Sequence, residues 1–242
     1  MSIKANTERA KSDYDRAYAA GEKAEYDAFW DEFQQNGMLA NYSNVFSGRG
    51  WTDKTFNPKY NIKTYNAYML FRDCLCTDIK GVLERNGITL DVSEATNLQY
   101  CFQWSKTARL PEIDTRGSTN DLSYMFNNCG DLVSVDKLIF KDDGSTRFSD
   151  TFTSCSNLVE LPIEGVIGQN GFDVHWSTKL NKPSIISIIN ALSTTTSGLT
   201  VTLSATAVNN AFATTEGGTD GSTSAEWLAL VATRSNWTIA LA

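Results

Sequence analysis

The chain predicts an α/β solenoid of short parallel strands, preceded by an N-terminal amphipathic helix and closed by an α/β C-terminal cap. Three observations lead there. Residues 121–170 carry one spacing twice: Phe126, Cys129, Leu132 and Val135 recur as Phe152, Cys155, Leu158 and Leu161, twenty-six residues on. A period in the twenties marks units that cannot bury an apolar face alone and must stack on their neighbours. Further copies precede this pair at Phe71 and Phe102, with a degenerate one at Phe46, so the Phe-to-Phe steps are 25, 31, 24 and 26. Beyond residue 171 the composition shifts to Thr, Ser, Ala and Gly, and a helix–strand–helix–strand pattern follows.

Taken in order, residues 6–36 read as a helix. Tyr14, Ala17, Tyr18, Gly21, Ala24, Ala28, Phe29 and Phe33 recur at three- and four-residue steps, and Gly37 follows as a terminator. Such a helix caps the open end of the stack or, through Tyr14, Tyr18, Phe29, Trp30 and Phe33, docks on a partner or on a second copy. The stretch 41–63 reads as a degenerate first repeat, Tyr42 and Phe46 echoing the front half of the motif. Each full repeat is expected as a short helical turn ending in Phe, a bend at Cys and a short strand pairing in parallel with the next. A loop-like insertion, KGVLERNGITLDVSEATN, accounts for the long step of 31. In the tail, KPSIISIINALS reads as a helix with Pro183 in its first turn and Ile185, Ile186, Ile189 and Leu192 on its apolar face. Residues 199–204 alternate as a strand. A second helix spans 224–235 with Ser224 or Thr223 as N-cap and Glu226 in the first turn, and 237–241 is a closing strand. The domains are therefore 1–40, 41–171 and 172–242.

With 41% hydrophobic and 20% charged residues, the chain has the composition of a soluble globular protein. The net charge of −7 and the absence of a Lys/Arg cluster argue against nucleic acid as a partner. No run approaches the length of a membrane span, so membrane insertion is not expected. The N-terminus carries charge throughout and has no apolar signal-peptide core, which predicts a protein made and used without Sec export, or a trimmed chain. Cys74, Cys129 and Cys155 share one repeat position, which favours a seam of buried thiols over a disulfide or a metal site. The Cys74-x-Cys76 pair has no second Cys/His pair at zinc-finger spacing.

Catalysis has little to work with. His175, in FDVHWST, is the single histidine, so triads and multi-histidine metal sites need it or are excluded. Phosphate-binding glycine motifs are absent from the sequence. The stretches KDDGST and EGGTDGST could be imagined as calcium loops, but Asp-Gly there reads better as a turn. The expectation is a non-enzyme with no cofactor, no catalytic residue and no metal.

Binding has more to work with. If Ile79, Leu110, Val135 and Leu161 point inward, strand alternation turns the preceding residues outward. Asp78, Arg109, Ser134 and Glu160 then form one row across adjacent strands, and Lys80, Pro111, Asp136 and Pro162 a second. The candidate binding face comprises Asp78, Arg109, Ser134, Asp136 and Glu160. Its mixed charge names no ligand.

The run Met-Phe-x-x-Cys-x-x-Leu-x-x-Leu-Pro resembles the leucine-rich repeats of the BspA-like family of surface proteins, found in gut bacteria and in their phages and prophages. The likeness covers roughly residues 42–171, with Ser105 standing where the pattern has Cys and Val135 lacking the following Pro. The N-terminal stretch and the tail are also similar to segments flanking such repeats. The resemblance implies a leucine-rich-repeat solenoid that binds protein or glycan. Together with the missing export signal it implies a non-enzymatic virion component of tail or fibre type, assembled in the bacterial cytoplasm and contacting a host surface or other virion proteins. The alternative it leaves is a bacterial cell-surface adhesin.

Overall fold

The computed structural model describes residues 45–48, 50–58, 61–118, 121–215 and 217–242. The helix expected over 6–36, with Tyr14, Tyr18, Phe29, Trp30 and Phe33, lies outside the described residues, as does Tyr42. What is described is a mixed structure of helices and short parallel strands with no closed barrel.

Seven two-residue strands carry the repeats: β1 (Ile62–Lys63), β2 (Leu90–Asp91), β3 (Arg109–Leu110), β4 (Ile113–Asp114), β5 (Ser134–Val135), β6 (Leu138–Ile139) and β7 (Ile163–Glu164). Every pairing is parallel: β1 with β2, β3 with β5, β4 with β6, and β6 with β7. Arg109 faces Ser134 and Ile113 faces Leu138, so each partner lies 25 residues on, as the motif spacing demands. Strands this short cannot persist on their own ladder bonds, so burial beneath them must hold the register.

That burial is the motif itself. Phe46, Phe71, Phe102, Phe126 and Phe152 are all inaccessible to solvent. Their rings follow one another at centroid separations of 5.2, 5.4, 5.5 and 5.3 Å, each successive pair stacked. Beside them runs the cysteine seam. The Cys129 thiol donates to the Phe102 carbonyl at 2.8 Å and the Cys155 thiol to the Phe126 carbonyl at 3.1 Å. All five cysteines are free and buried. Burial pushes the Cys74 and Cys155 thiols up to about 12, which keeps them protonated and unreactive at neutral pH.

The segment around each Phe departs from the expected helical turn. It is a run of linked β-turns in which Met125, Asn127 and Cys129 donate to the carbonyls of Leu122, Tyr124 and Phe126 at 3.1, 3.2 and 3.1 Å. Two residues in each copy adopt left-handed backbone: Met69 and Asp73, Tyr100 and Trp104, Tyr124 and Asn128, Asp150 and Ser154, with φ between 51° and 61°. The reason is hydrogen-bond accounting. The N–H groups of Tyr124, Phe126 and Asn128 point along the stack and donate to Ser149, Thr151 and Thr153 of the next copy at 2.9, 3.0 and 2.8 Å. A helix would have consumed those donors internally, leaving the carbonyls of the neighbour unpaired in a buried place.

A second departure is the long step, where a helix stands instead of the expected loop. Helix α1 (Ile79–Asn86) is capped by the Asp78 carboxylate, which accepts from Gly81 N at 2.9 Å, and ends at Gly87 in left-handed conformation, φ 65°. It buries Ile79, Val82 and Leu83 and leaves Glu84, Arg85 and Asn86 outward.

The stacking pattern also continues past residue 171. Val174, Ser177 and Leu180 keep the Phe, Cys and Leu spacing, the Ser177 hydroxyl donates to the Cys155 carbonyl at 3.1 Å, and Asn181 N donates to Val159 O at 3.0 Å. Helix α2 (Lys182–Ala191), capped by Asn181, then closes the strands. Ser184 and Ser187 of α2 accept from the free N–H groups of Leu161 and Ile163, both at 2.8 Å, so two hydroxyls replace the next strand. The tail continues with β8 (Leu199–Leu203), α3 (Ala205–Phe212), a 3-10 turn at Gly221–Thr223, α4 (Ala225–Ala232) and β9 (Trp237–Leu241). Strands β8 and β9 pair in parallel over five positions, and β8 bridges back to the repeats at Asp173 and Thr202. Helix α3 was not expected from the sequence: Ser204, read as the last residue of a strand, is its N-cap and accepts from Ala207 N. Ser224 and Glu226 open α4 as expected. Among the described residues no helix is long and apolar enough to cross a membrane.

Candidate functional site

The row expected on the strand face is assembled. Arg109 lies opposite Ser134 in the β3–β5 register, and Ser134 bridges to Glu160. Leu110, Val135 and Leu161 point inward and are fully buried, while Arg109 and Glu160 are exposed. Asp78 joins the row differently from expectation, because it belongs to a helix cap and not to a strand. Its carboxylate takes the Gly81 N–H and also receives Arg109, whose Nε lies 3.1 Å from Oδ1 and whose Nη2 pairs with Oδ2. Partial burial raises the Asp78 pKa, but Arg109 and the Gly81 N–H outweigh it and hold the carboxyl below its ordinary value. Asp136, in the second row, pairs with Lys80 at 2.6 Å across to α1, and Lys80 also lies 3.6 Å from Glu84. These groups rim a groove of about 420 Å³ between α1, β2 and β4, floored by Leu83, Ile88 and Leu90. Of the five candidates, Arg109, Ser134 and Glu160 follow one another in the strand register, Asp78 pairs with Arg109, and Asp136 alone lines the groove.

Sequence reasoning passed over the opposite edge, where the β-turns run. The residue two places after each stacked Phe faces outward there: Asp73, Trp104, Asn128 and Ser154, with Trp176 at the same offset from Val174. Trp104 is 43% exposed and Trp176 47% exposed, among the largest apolar groups left open to solvent in the described residues. The Arg72 guanidinium lies over the Trp104 indole, 4.9 Å from the ring centre. Its Nε stands 3.6 Å from the Asp73 carboxylate, and its Nη1 3.4 Å from the Met69 sulfur. Beside them opens a concavity of about 550 Å³ lined by Asp73, Leu75, Trp104, Lys106 and Asn128. Lys106 is paired with Asp131 at 3.1 Å. The signal for this edge was present as FQW in the third copy. At Trp176 it was hidden by Val174 in the place of Phe.

His175 sits on the same stretch. Its Nδ1 is 2.7 Å from Asp173 Oδ1, which also accepts the His175 backbone N–H at 3.0 Å, a local turn two residues long. The ring packs on Trp176, with centroids 4.9 Å apart. Ser177, the nearest hydroxyl in sequence, is buried and directed at the Cys155 carbonyl, away from any such dyad. In the two loops considered for calcium, Asp143 accepts from the Ser145 N–H and hydroxyl at 2.8 and 2.6 Å, and Asp220 accepts from Thr214 N at 3.2 Å and from its hydroxyl. Both carboxylates close turns, and among the described residues no three His, Cys, Asp or Glu side chains gather as a metal would require. Comparison with known proteins finds no matching family model, no matching curated protein and no matching solved structure.

Proposed function

We propose that the repeats form a leucine-rich-repeat solenoid and that the chain is a non-enzymatic, virion-associated structural and recognition protein of a phage or prophage, of tail or fibre type. The observation that carries the recognition part is the construction of the repeat. Among the described residues the repeat commits several groups to the framework: the Cys129 and Cys155 thiols bond to buried carbonyls, Asp78 pairs with Arg109, and Asp136 with Lys80. What the unit leaves outward is a ladder of side chains at regular spacing on two edges, and extended ladders of that kind serve repeat proteins as binding surfaces. The virion assignment rests on the likeness of Met-Phe-x-x-Cys-x-x-Leu-x-x-Leu-Pro to BspA-like repeats.

Purified particles from an induced culture, compared with the cell-envelope fraction by peptide mass spectrometry, test the assignment. Recovery of the chain in the particles, together with binding of the isolated protein to intact host cells, is the expected result. Recovery in the envelope fraction alone would transfer the protein to the adhesin reading, and recovery in neither would remove both.

A further inference from the structure

We propose that the concavity beside Trp104 is a carbohydrate subsite for an uncharged oligosaccharide, a reading that rests on the recognition role argued above. Trp104 occupies left-handed backbone, φ 59°, where a bulky side chain is strained, and it is nonetheless left 43% exposed. Core packing does not account for the indole. Arg72 fixes the ring from one side at 4.9 Å, so little further rotamer entropy is lost when a ligand covers it.

The lining around the ring points the same way. Leu75 adds apolar surface, and Asp73, Asn128 and Lys106 bring a carboxylate, an amide and an ammonium within one concavity of about 550 Å³. That size is within the range of small-ligand sites, and an apolar platform with a few polar groups is their usual composition. The charges do not sum to a field: Asp73 is matched by Arg72 at 3.6 Å and Lys106 by Asp131 at 3.1 Å. A site with an aromatic plate, balanced charges and both hydrogen-bond donors and acceptors suits a hydroxyl-rich ring with one apolar face. It suits an anionic or cationic ligand less well, since neither sign finds an unmatched partner.

The repeat extends the site in one direction. Asn128 and Ser154 follow Trp104 on the same edge, and Trp176 stands at the next equivalent position. An oligosaccharide lying along the turn edge would rest on Trp104, pass the amide and hydroxyl of the middle rungs and reach Trp176.

The test is titration of the purified chain with maltohexaose, chitohexaose, mannohexaose and a galactan oligosaccharide, alongside a sialylated and a uronate-containing oligosaccharide, read by tryptophan fluorescence and by saturation-transfer NMR. Binding of at least one uncharged member is expected. Trp104→Ala should weaken it at least about tenfold, as for an aromatic anchor, and Asn128→Ala by a few-fold. Lys63→Ala, on β1 and outside the lining of the concavity, should leave it unchanged. Circular dichroism and melting establish that each variant is folded; should Trp104→Ala fail that check, Asn128→Ala and Trp176→Ala carry the test. Binding of none of the uncharged oligosaccharides at millimolar concentration, binding of the acidic ones alone, or affinity indifferent to these variants would overturn the subsite. If host cells still bind the Trp104→Ala chain normally, recognition stands and this subsite falls; if sugars bind but the chain is absent from particles, the subsite stands and the virion role falls.

Discussion

On the strand face Asp78, Arg109, Lys80 and Asp136 direct their charges at one another, whereas on the turn edge, where Asp73 and Lys106 are paired as well, Trp104 and Trp176 stay open to solvent. Both faces belong to the same repeat and alternate with the same buried seams. They differ in what borders them: helix α1 packs beside β3 and carries Asp78, at its cap, and Lys80 to the strand face. Helix α1 brings Asp78 to Arg109 and Lys80 to Asp136, so what would have been an outward ladder of free charges becomes a set of matched pairs. The turn edge pairs its charges too, but it leaves the Trp104 and Trp176 indoles open to solvent. A regular outward row is therefore insufficient to mark a binding face. What sets the turn edge apart is the apolar surface of Trp104 and Trp176 left open beside its paired charges.

The largest test of this contrast lies between the faces. If the ring stack is the framework and the edge is free of structural duty, Phe126→Ala should cost about 3–5 kcal/mol of unfolding free energy, the usual range for a buried aromatic truncated in a tight core. Trp104→Ala should cost under about 1 kcal/mol, since a partly exposed ring gives up less buried area. Urea unfolding of both variants measures the difference. Equal losses would mean that Trp104 is part of the core, and the contrast would fail.

Next in size is Asp78, the residue on which the strand face turns. Removing a carboxylate N-cap costs roughly 1 kcal/mol, so Asp78→Ala should lower the melting point by a few degrees. The pH dependence follows from the same contacts. The folded Asp78 carboxyl sits below its ordinary value, 3.8, so its contribution is complete above that value and is lost as pH falls through the lower folded pKa. Wild-type stability should therefore decline below about pH 4 more steeply than that of Asp78→Asn, measured by thermal melts between pH 7 and pH 2.5. Parallel curves would show that Asp78 is not held by Arg109 in solution.

How much of this could be read from the chain depends on which physical signal each part emits. The repeat announced itself because its buried positions tolerate few residue types, and Phe126, Cys129, Leu132 and Phe152, Cys155, Leu158 restate them. The outward row followed from strand alternation alone. Helix α1 was missed although Asp78 and Gly87 are ordinary cap residues, because eight residues interrupting a clear repeat look like a loop. The β-turns were missed for a different reason. Left-handed positions usually declare themselves through Gly or Asn, and here Met69, Tyr100, Trp104 and Tyr124 occupy them, held by bonds to the next copy that no local pattern encodes. The turn edge went unread with them, since Trp104 shows itself as a surface plate only once the turn that presents it is known.

Smaller effects sharpen the picture on each side. Lys80 and Asp136 make a 2.6 Å pair whose members remain 22% and 42% exposed, so a double-mutant cycle should give a coupling under about 1 kcal/mol that shrinks as salt is raised. On the turn edge the corresponding small change has the opposite sign. Ser154, φ 61°, is a left-handed residue without the tolerance of Asn or Gly. Ser154→Gly relieves about 1 kcal/mol of backbone strain and returns much of it through the greater freedom of the unfolded chain, for a net gain of a few tenths. A melting point raised by about a degree would fit a position whose side chain contributes little to the fold. A clear loss would mean that the serine hydroxyl holds the turn, and the edge would then be framework at Ser154 as well.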